Sequence, residues 1–104
     1  MFSTQTLVHP DTKKEFEVLM YQEKYPVNDR IAVLLRMSGT GEPFGVLTVN
    51  IPDAKIRNDE ICVKTWSENE WWYSQLLNTR YFCDTGKRVP CGFAVAEIWN
   101  ILPG

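Results

Sequence analysis

The residues best suited to chemistry in this sequence are one histidine and three cysteines. His9 precedes Pro10 in a stretch of turn residues, and Cys62, Cys83 and Cys91 are scattered over the second half. A catalytic Cys–His pair activates the thiol through the histidine, so any such pair would have to use His9. No cysteine lies in a nucleophile elbow or at a predicted helix start, where its pKa would fall. The sequence therefore predicts a surface turn histidine and no catalytic residue.

The same four side chains are formally sufficient for a tetrahedral zinc site. Structural zinc sites are usually built from closely spaced ligand pairs. Here Cys83 and Cys91 are eight residues apart, and Cys62 and His9 are farther still. This spacing predicts buried or unreactive thiols, with no metal and no cofactor.

Acidic and basic groups give no stronger sign of catalysis. Glu68 and Glu70 would lie about 200° apart on a helix, so they cannot act together on one bond. The other candidate carboxylates belong to a polar segment in which solvated charge is the normal outcome; they are Asp53, Asp59 and Glu60. Residues 39–45 lack the ending of a phosphate-binding loop, and residues 85–88 (TGKR) predict a solvated turn.

The elements that would position these groups predict an α+β domain over residues 1–104. One α-helix at about residues 68–79 is expected to pack on one face of a mostly antiparallel sheet of about five strands. The clearest element is a hairpin, because the apolar segments 31–37 and 44–51 flank a connection that holds two glycines and a proline. The other predicted extended segments are residues 4–8, 13–21, 61–66 and 88–102.

The predicted helix begins with Ser67 and Glu70, which have the spacing of a capping box. Its apolar stripe consists of Trp72, Tyr73, Leu76 and Leu77. This stripe is expected to pack on Leu47, Val49 and Ile51 of the hairpin. In the C-terminal segment, Gly92 predicts a bend or bulge. The buried residues predicted there are Phe93, Val95, Ile98, Trp99, Ile101 and Leu102.

Trp71 does not join the apolar stripe, because its helical angle points nearly opposite the centre of the stripe. Two interpretations remain open. The favoured one covers Trp71 beneath residues 53–60 or against Trp66. The other leaves Trp71 exposed, as is typical of interface hot spots.

Composition and charge exclude several classes of protein. The 104 residues are 44% hydrophobic and 23% charged, which is typical of a folded domain. The net charge is −2 and both halves are mixed, which disfavours nucleic acid as the primary partner. No apolar run is long enough to span a membrane, and the N-terminus lacks signal-peptide features. A cytoplasmic protein with reduced cysteines is expected.

Several short segments carry a resemblance: residues 41–44 (GEPF) leading into 47–51 (LTVNI), residues 63–70 (VKTWSENE), and Gly92-Phe93. In these segments the chain from about Tyr25 onward resembles a family of small uncharacterised proteins encoded by phages and conjugative elements. Residues 1–20 and the doubled Trp71-Trp72 lie outside the family pattern. The resemblance implies a mobile-element origin and a role in binding, and it carries no catalytic residue over to this chain.

The leading hypothesis is a non-enzymatic protein-binding module of phage or mobile-element origin. Its partner would be a protein complex of the host or of the element, and inhibition of a host defence complex is its specific form. The predicted partner surface comprises Trp71, Glu68, Gln75, Lys87 and Arg88.

Two alternatives remain open. One is a small enzyme or ligand-binding domain with a pocket between helix and sheet. The other is a nucleic-acid-binding accessory protein with steeply salt-dependent binding. The cations available to this second alternative are Lys55, Arg57, Lys64, Lys87 and Arg88.

Overall fold

The computed structural model describes the backbone of residues 2–103 and the side chains of residues 3–103, and their regular secondary structure is mostly β-strand. All strand pairs in this part of the chain are antiparallel. The predicted antiparallel architecture is therefore confirmed, but the strands form two sheets instead of one. The strands are β1 (Phe2–Val8), β2 (Glu15–Lys24), β3 (Ile31–Met37), β4 (Pro43–Val46), β5 (Glu60–Val63), β6 (Phe82–Cys91) and β7 (Ala94–Ile101).

The first sheet has the order β1-β2-β3-β4, so each strand pairs with its neighbour in sequence. Alternation in β2 buries Val18 and Met20 and leaves Phe16 partly covered, as the period-two pattern predicts. In β3, Val33 and Leu35 are buried, and the strand lies between β2 and β4. The predicted first arm of the hairpin is confirmed.

The second sheet has the order β5-β7-β6, with β7 in the centre. Residues 85–88, predicted as a solvated turn, instead belong to β6, at an irregularity where the register shifts between Asp84 and Arg88. Gly86 adopts a φ of +83° there, a conformation that glycine tolerates. The Thr85 hydroxyl donates to the Ile98 carbonyl at 2.7 Å, which holds the irregular segment against β7.

A short segment at residues 47–49 joins the two sheets. The predicted second arm reached residue 51, but β4 ends at Val46. The Leu47 N–H donates to the Val33 carbonyl at 2.9 Å, and the Lys64 N–H donates to the Leu47 carbonyl at 2.8 Å. Thr48 also forms an isolated bridge with Val63. We call residues 47–49 the seam, because this segment bonds to β3 on one side and to the β5 region on the other.

The predicted α-helix over residues 68–79 is wrong. The segment forms two 3-10 helices, Ser67–Asn69 and Tyr73–Asn78, separated by a turn. The capping box also fails, because no side chain caps the first 3-10 helix and Ser67 itself has a φ of +62°. Among residues 2–103, no helix is both long and apolar enough to cross a membrane.

Two apolar clusters fill the interior. The larger lies between the sheets and includes Trp72 and Leu76, so the predicted stripe faces the core although it is not on an α-helix. Tyr73 and Leu77 pack against this cluster while partly exposed. The smaller cluster covers the other face of the second sheet. Its members and neighbours include Ala54, Cys62, Ala96, Ile98, Val49, Ile51 and Trp66.

Candidate functional site

His9 has a structural role in the turn between β1 and β2. Its Nδ1 atom accepts hydrogen bonds from the backbone N–H groups of Asp11, at 3.2 Å, and Thr12, at 3.4 Å. Its ring centroid lies 4.8 Å from that of Trp71. These contacts use the imidazole to order a turn and cover an aromatic ring.

The cysteines occupy three different environments. Cys62 is buried in β5, where burial raises the pKa of its thiol. Cys83 is exposed on β6, and Cys91 is half-buried at the end of that strand. Within residues 2–103, no group of three His, Cys, Asp or Glu side chains is arranged to hold a metal ion.

Trp71 is partly buried, and neither interpretation of its surroundings is fully correct. Its ring lies against Phe16, at a centroid distance of 5.6 Å, and against Phe44, at 6.1 Å. The covering rings therefore come from the β1–β2 turn, β2 and β4, not from residues 53–60 or Trp66. Because the turn before the second 3-10 helix redirects the chain, Trp71 and Trp72 both pack toward the first sheet.

Gln75 lies next to Trp71 and completes the edge of the first sheet. Its Oε1 accepts the Val8 N–H at 3.0 Å, and its Nε2 donates to the Val8 carbonyl at 2.9 Å. The same Nε2 donates to the Trp71 carbonyl at 3.2 Å. The Gln75 side chain thus provides hydrogen-bond partners for the backbone N–H and carbonyl of Val8, at the end of β1, as a neighbouring strand would.

Glu68 forms a local ion pair with Lys64 at 2.7 Å. This hydrogen-bonded pair lowers the pKa of Glu68 to about 2. The carboxylate is exposed, so solvent screens the pair and its effect on stability is small. Among the described residues, no hydrogen bond or ion pair joins Glu68 to Trp71 or Gln75.

Lys87 and Arg88 lie on the irregular part of β6, in the second sheet, whereas Trp71 packs against the first sheet. Lys87 Nζ contacts the carboxylate of the buried Glu60 at 2.9 Å. Arg88 donates to both carboxylate oxygens of Asp84, at 2.9 and 3.0 Å. These contacts lower the pKa values of Glu60 and Asp84. The five predicted partner residues therefore form separate groups, and their role in binding stays a prediction.

The cations considered for nucleic-acid binding are mostly engaged within the chain. Lys64, Lys87 and Arg88 form the ion pairs described above, and Arg57 lies 3.7 Å from Asp59. Such pairing reduces the positive potential that a phosphate backbone would meet.

The most unusual surface is the turn of the β6–β7 hairpin, residues 90–95, which we call the hairpin tip. Phe93 is fully exposed and Val95 is 52% exposed, so the predicted burial of both is wrong. The reason is the short turn. Cys91 pairs with Ala94, which leaves only Gly92 and Phe93 between the strands. Gly92 adopts a φ of +61°, and Phe93 projects beyond the last pair of the ladder.

A signal for this turn was present in the sequence. Gly92 stands between two segments rich in β-forming residues, and a glycine at the first position of a two-residue turn is typical of a hairpin. The sequence interpretation placed Gly92 at a bend within one extended segment and therefore placed Phe93 in a strand. In the structure, Phe93 occupies the second position of the turn.

Two adjoining clefts lie at the opposite end of β7, and neither is lined by the 3-10 helices. The larger has a volume of about 630 Å³ and is lined by the turn between β2 and β3 and by residues 56–60. The smaller, of about 480 Å³, is lined mainly by apolar groups that include Ile101, Leu102 and Pro103.

Comparison of the chain with protein-family models, curated proteins and solved structures gives no match. The geometry of the chain itself is therefore the basis for the functional argument.

Proposed function

We propose that the chain is a non-enzymatic protein-binding module and that the hairpin tip is its binding element. The observation that carries this proposal is the complete exposure of Phe93 beside the half-exposed Val95. Aromatic side chains are enriched among residues that dominate binding energy, and a protruding ring can fill an apolar pocket of a partner. Packing inside the chain provides no reason for this exposure.

The backbone of the hairpin tip is held in place before any partner arrives. Val89, Pro90 and Cys91 pair with Ala96, Val95 and Ala94. Thr65 Oγ1 donates to the Val95 carbonyl at 3.1 Å, which fixes β7 from a neighbouring segment. Pro90 adds a fixed φ. Such order reduces the conformational entropy lost on binding.

The charges near the tip favour a protein over a lipid surface. Arg88 is the nearest cation along β6, and it is paired with Asp84, with Glu97 at 3.9 Å. An amphipathic element that binds anionic lipid normally carries unpaired basic residues beside its apolar ones. The proposed partner is therefore a protein with an apolar pocket large enough for an aromatic ring.

In its specific form, the proposal retains the inferred mobile-element origin. The partner is then a complex in the host cytosol, and binding inhibits a host defence system. The resemblance of residues 41–44, 47–51, 63–70 and 92–93 to proteins of phages and conjugative elements supports this form.

The test uses the wild-type chain, Phe93→Ser and Val27→Ser as baits in host-cell lysate. Val27 is a matched control, because it is an apolar residue that is 83% exposed in a different turn. The captured protein is then purified and its Kd for each bait is measured. We expect a stoichiometric complex that Phe93→Ser weakens at least about tenfold and that Val27→Ser leaves unchanged.

Three results would contradict the proposal. The first is the absence of a stoichiometric partner at native expression. The second is a purified partner that binds wild type and Phe93→Ser equally well. The third is Phe93-dependent sedimentation of the chain with phosphatidylglycerol vesicles and no protein partner, because this would assign the tip to a lipid surface.

A further inference from the structure

The geometry points to a second binding site, in the two adjoining clefts between the ends of the sheets, for a small organic anion that carries an apolar group. This site is independent of the hairpin tip. Phe93 precedes β7 and the clefts lie at the end of this strand, so the eight-residue strand separates Phe93 from the clefts by about 23 Å.

The size and shape of the larger cleft suit a small molecule. Its volume of about 630 Å³ falls within the range of ligand sites in proteins. One wall is the turn between β2 and β3 with Lys24 and Arg30, and the other is the loop that carries Arg57 and leads into Glu60. The cleft is thus formed where two loops from different sheets meet.

Arg30 orders the first wall. Its guanidinium donates to the carbonyls of Ile51, at 2.6 Å, and Ala54, at 2.5 Å, with a longer contact to Pro52 at 3.3 Å. These bonds connect the β2–β3 turn to the loop that follows the seam. Because Arg30 meets neutral carbonyls there, its positive charge still contributes to the potential in the cleft.

Glu60 orders the second wall and is neutralised by its partners. Its Oε1 accepts the Arg57 backbone N–H at 2.8 Å, and its Oε2 contacts Lys87 Nζ at 2.9 Å. Lys87 does not line the cleft, so Glu60 is compensated from outside it. The carboxylate therefore opposes a bound anion only weakly.

Two cations remain to meet a ligand. Lys24 forms no ion pair among residues 2–103 and lines the cleft. The Arg57 guanidinium is 80% exposed and lies 3.7 Å from the exposed Asp59, a pair that a ligand can displace. Asp29 is the remaining carboxylate of the larger cleft, and Asp59 lines the smaller one.

The smaller cleft supplies the apolar part of the site. It shares Ile31 and Asn58 with the larger cleft, and its other lining includes Ile101, Leu102 and Pro103. A ligand whose phosphate or carboxylate meets Lys24 and Arg57 can therefore place an apolar group against these side chains. Neither half of such a ligand alone uses the whole site.

The test is an NMR titration of the ¹⁵N-labelled full chain with phenyl phosphate, inorganic phosphate and phenol. Phenyl phosphate has both groups, and the other two probes have one each. We expect a Kd of roughly 0.1–1 mM for phenyl phosphate, with shifts at Lys24, Ile31, Arg57 and Ile101. Phenol and inorganic phosphate should bind at least about tenfold more weakly. Benzoate then shows whether a carboxylate serves as well as a phosphate.

Charge variants locate the site. Lys24→Met and Arg57→Met should each weaken phenyl phosphate binding about three- to tenfold, whereas the exposed controls Lys55→Met and Arg80→Met should not. Arg57→Met keeps the backbone N–H that holds Glu60. Asp29→Asn should tighten binding about two- to threefold, and asparagine tolerates the φ of +57° at this position.

The inference is overturned if phenyl phosphate causes no shift in the clefts up to about 10 mM. It is also overturned if inorganic phosphate or phenol binds as tightly as phenyl phosphate, or if Lys55→Met weakens binding as much as Lys24→Met. Retained dispersion of the amide spectrum shows that each variant is folded. The Phe93→Ser variant tests the hairpin tip alone. Its result does not change the outcomes expected for phenyl phosphate binding in the clefts.

Discussion

The β3–β4 hairpin and the β6–β7 hairpin are both antiparallel pairs with a glycine of positive φ at the turn, but they differ in the residues that they expose. The first turn is polar, with the sequence SGTGE, and its strand β3 has a largely buried centre. The second turn carries Phe93 into solvent. The comparison separates a hairpin that stabilises the fold from one whose tip is available to a partner.

The largest expected difference concerns two valines, one in each hairpin. Val33 is 0% exposed and Val95 is 52% exposed. Val33→Ala should lower the free energy of unfolding by about 2 to 3 kcal/mol, because it removes buried methyl groups and leaves a cavity. Val95→Ala should change it by less than about 0.5 kcal/mol. Urea denaturation measures both, and equal losses would show that the tip is part of the core.

Gly45 in β4 gives a second way to test the scaffold role. A Cβ at this position would lie 2.8 Å from the buried ring of Trp72, whereas a Cβ at Gly39 would meet no atom within 4 Å. Gly45→Ala should therefore cost about 1 to 3 kcal/mol of unfolding free energy through overpacking. Gly39→Ala is the matched control and should be neutral or slightly stabilising. Thermal unfolding measures the melting temperatures of both variants, and equal melting temperatures would contradict this interpretation.

Glu60 links the loop before β5 to the irregular part of the second hairpin. Its contacts with Lys87 and the Arg57 N–H lower its pKa below the ordinary value of 4.5. The resulting stabilisation is present above pH 4.5 and is lost as the pH falls through the lowered pKa. At pH 7, Glu60→Gln should cost about 1 to 2 kcal/mol, and the difference from wild type should vanish in acid. A pH series of urea melts measures this, and a constant difference at every pH would contradict it.

The smallest expected effect on stability is at Phe93. Phe93→Ser should change the free energy of unfolding by less than about 0.5 kcal/mol, because the ring makes no buried contact that it could lose. A loss of partner binding with unchanged stability would sharpen the contrast between the hairpins. A loss of more than about 1 kcal/mol would show that the ring packs on the chain in solution.

Local patterns predicted the first three strands better than β4, the β6–β7 hairpin and the packing of aromatic residues. Alternation identified β2, and the glycine-rich connection identified the β3–β4 hairpin, because both signals are contained in a few residues. The α-helix failed for a physical reason. Asn69, Trp71, Trp72 and Tyr73 are weak helix formers, and a helix of twelve residues is marginal without a packed face. In the structure, the turn between the two 3-10 helices accompanies the packing of both tryptophans against Phe44 of the first sheet.

The two candidate sites differ in how far the sequence could have revealed them. The exposure of Phe93 follows from a turn at Gly92 that local reasoning could have identified. The cleft could not have been identified in this way, because it brings Lys24 near Arg57, a residue far away in sequence and on the other wall. The pairing of Lys87 with Glu60 was equally invisible, since it requires the irregular part of β6 to come within side-chain reach of the start of β5, across the central strand β7.

The seam at residues 47–49 determines how a force applied at the hairpin tip would spread through the fold. Force applied to the tip passes along β7 to β5, and from β5 through the Val49 and Lys64 hydrogen bonds to the first sheet. The second sheet cannot separate without removing bonds from the seam, so the two sheets are expected to open together. The Leu47, Val49 and Lys64 amide protons should then exchange with solvent only through global opening. A force applied to Phe93 would thus be transmitted to both sheets.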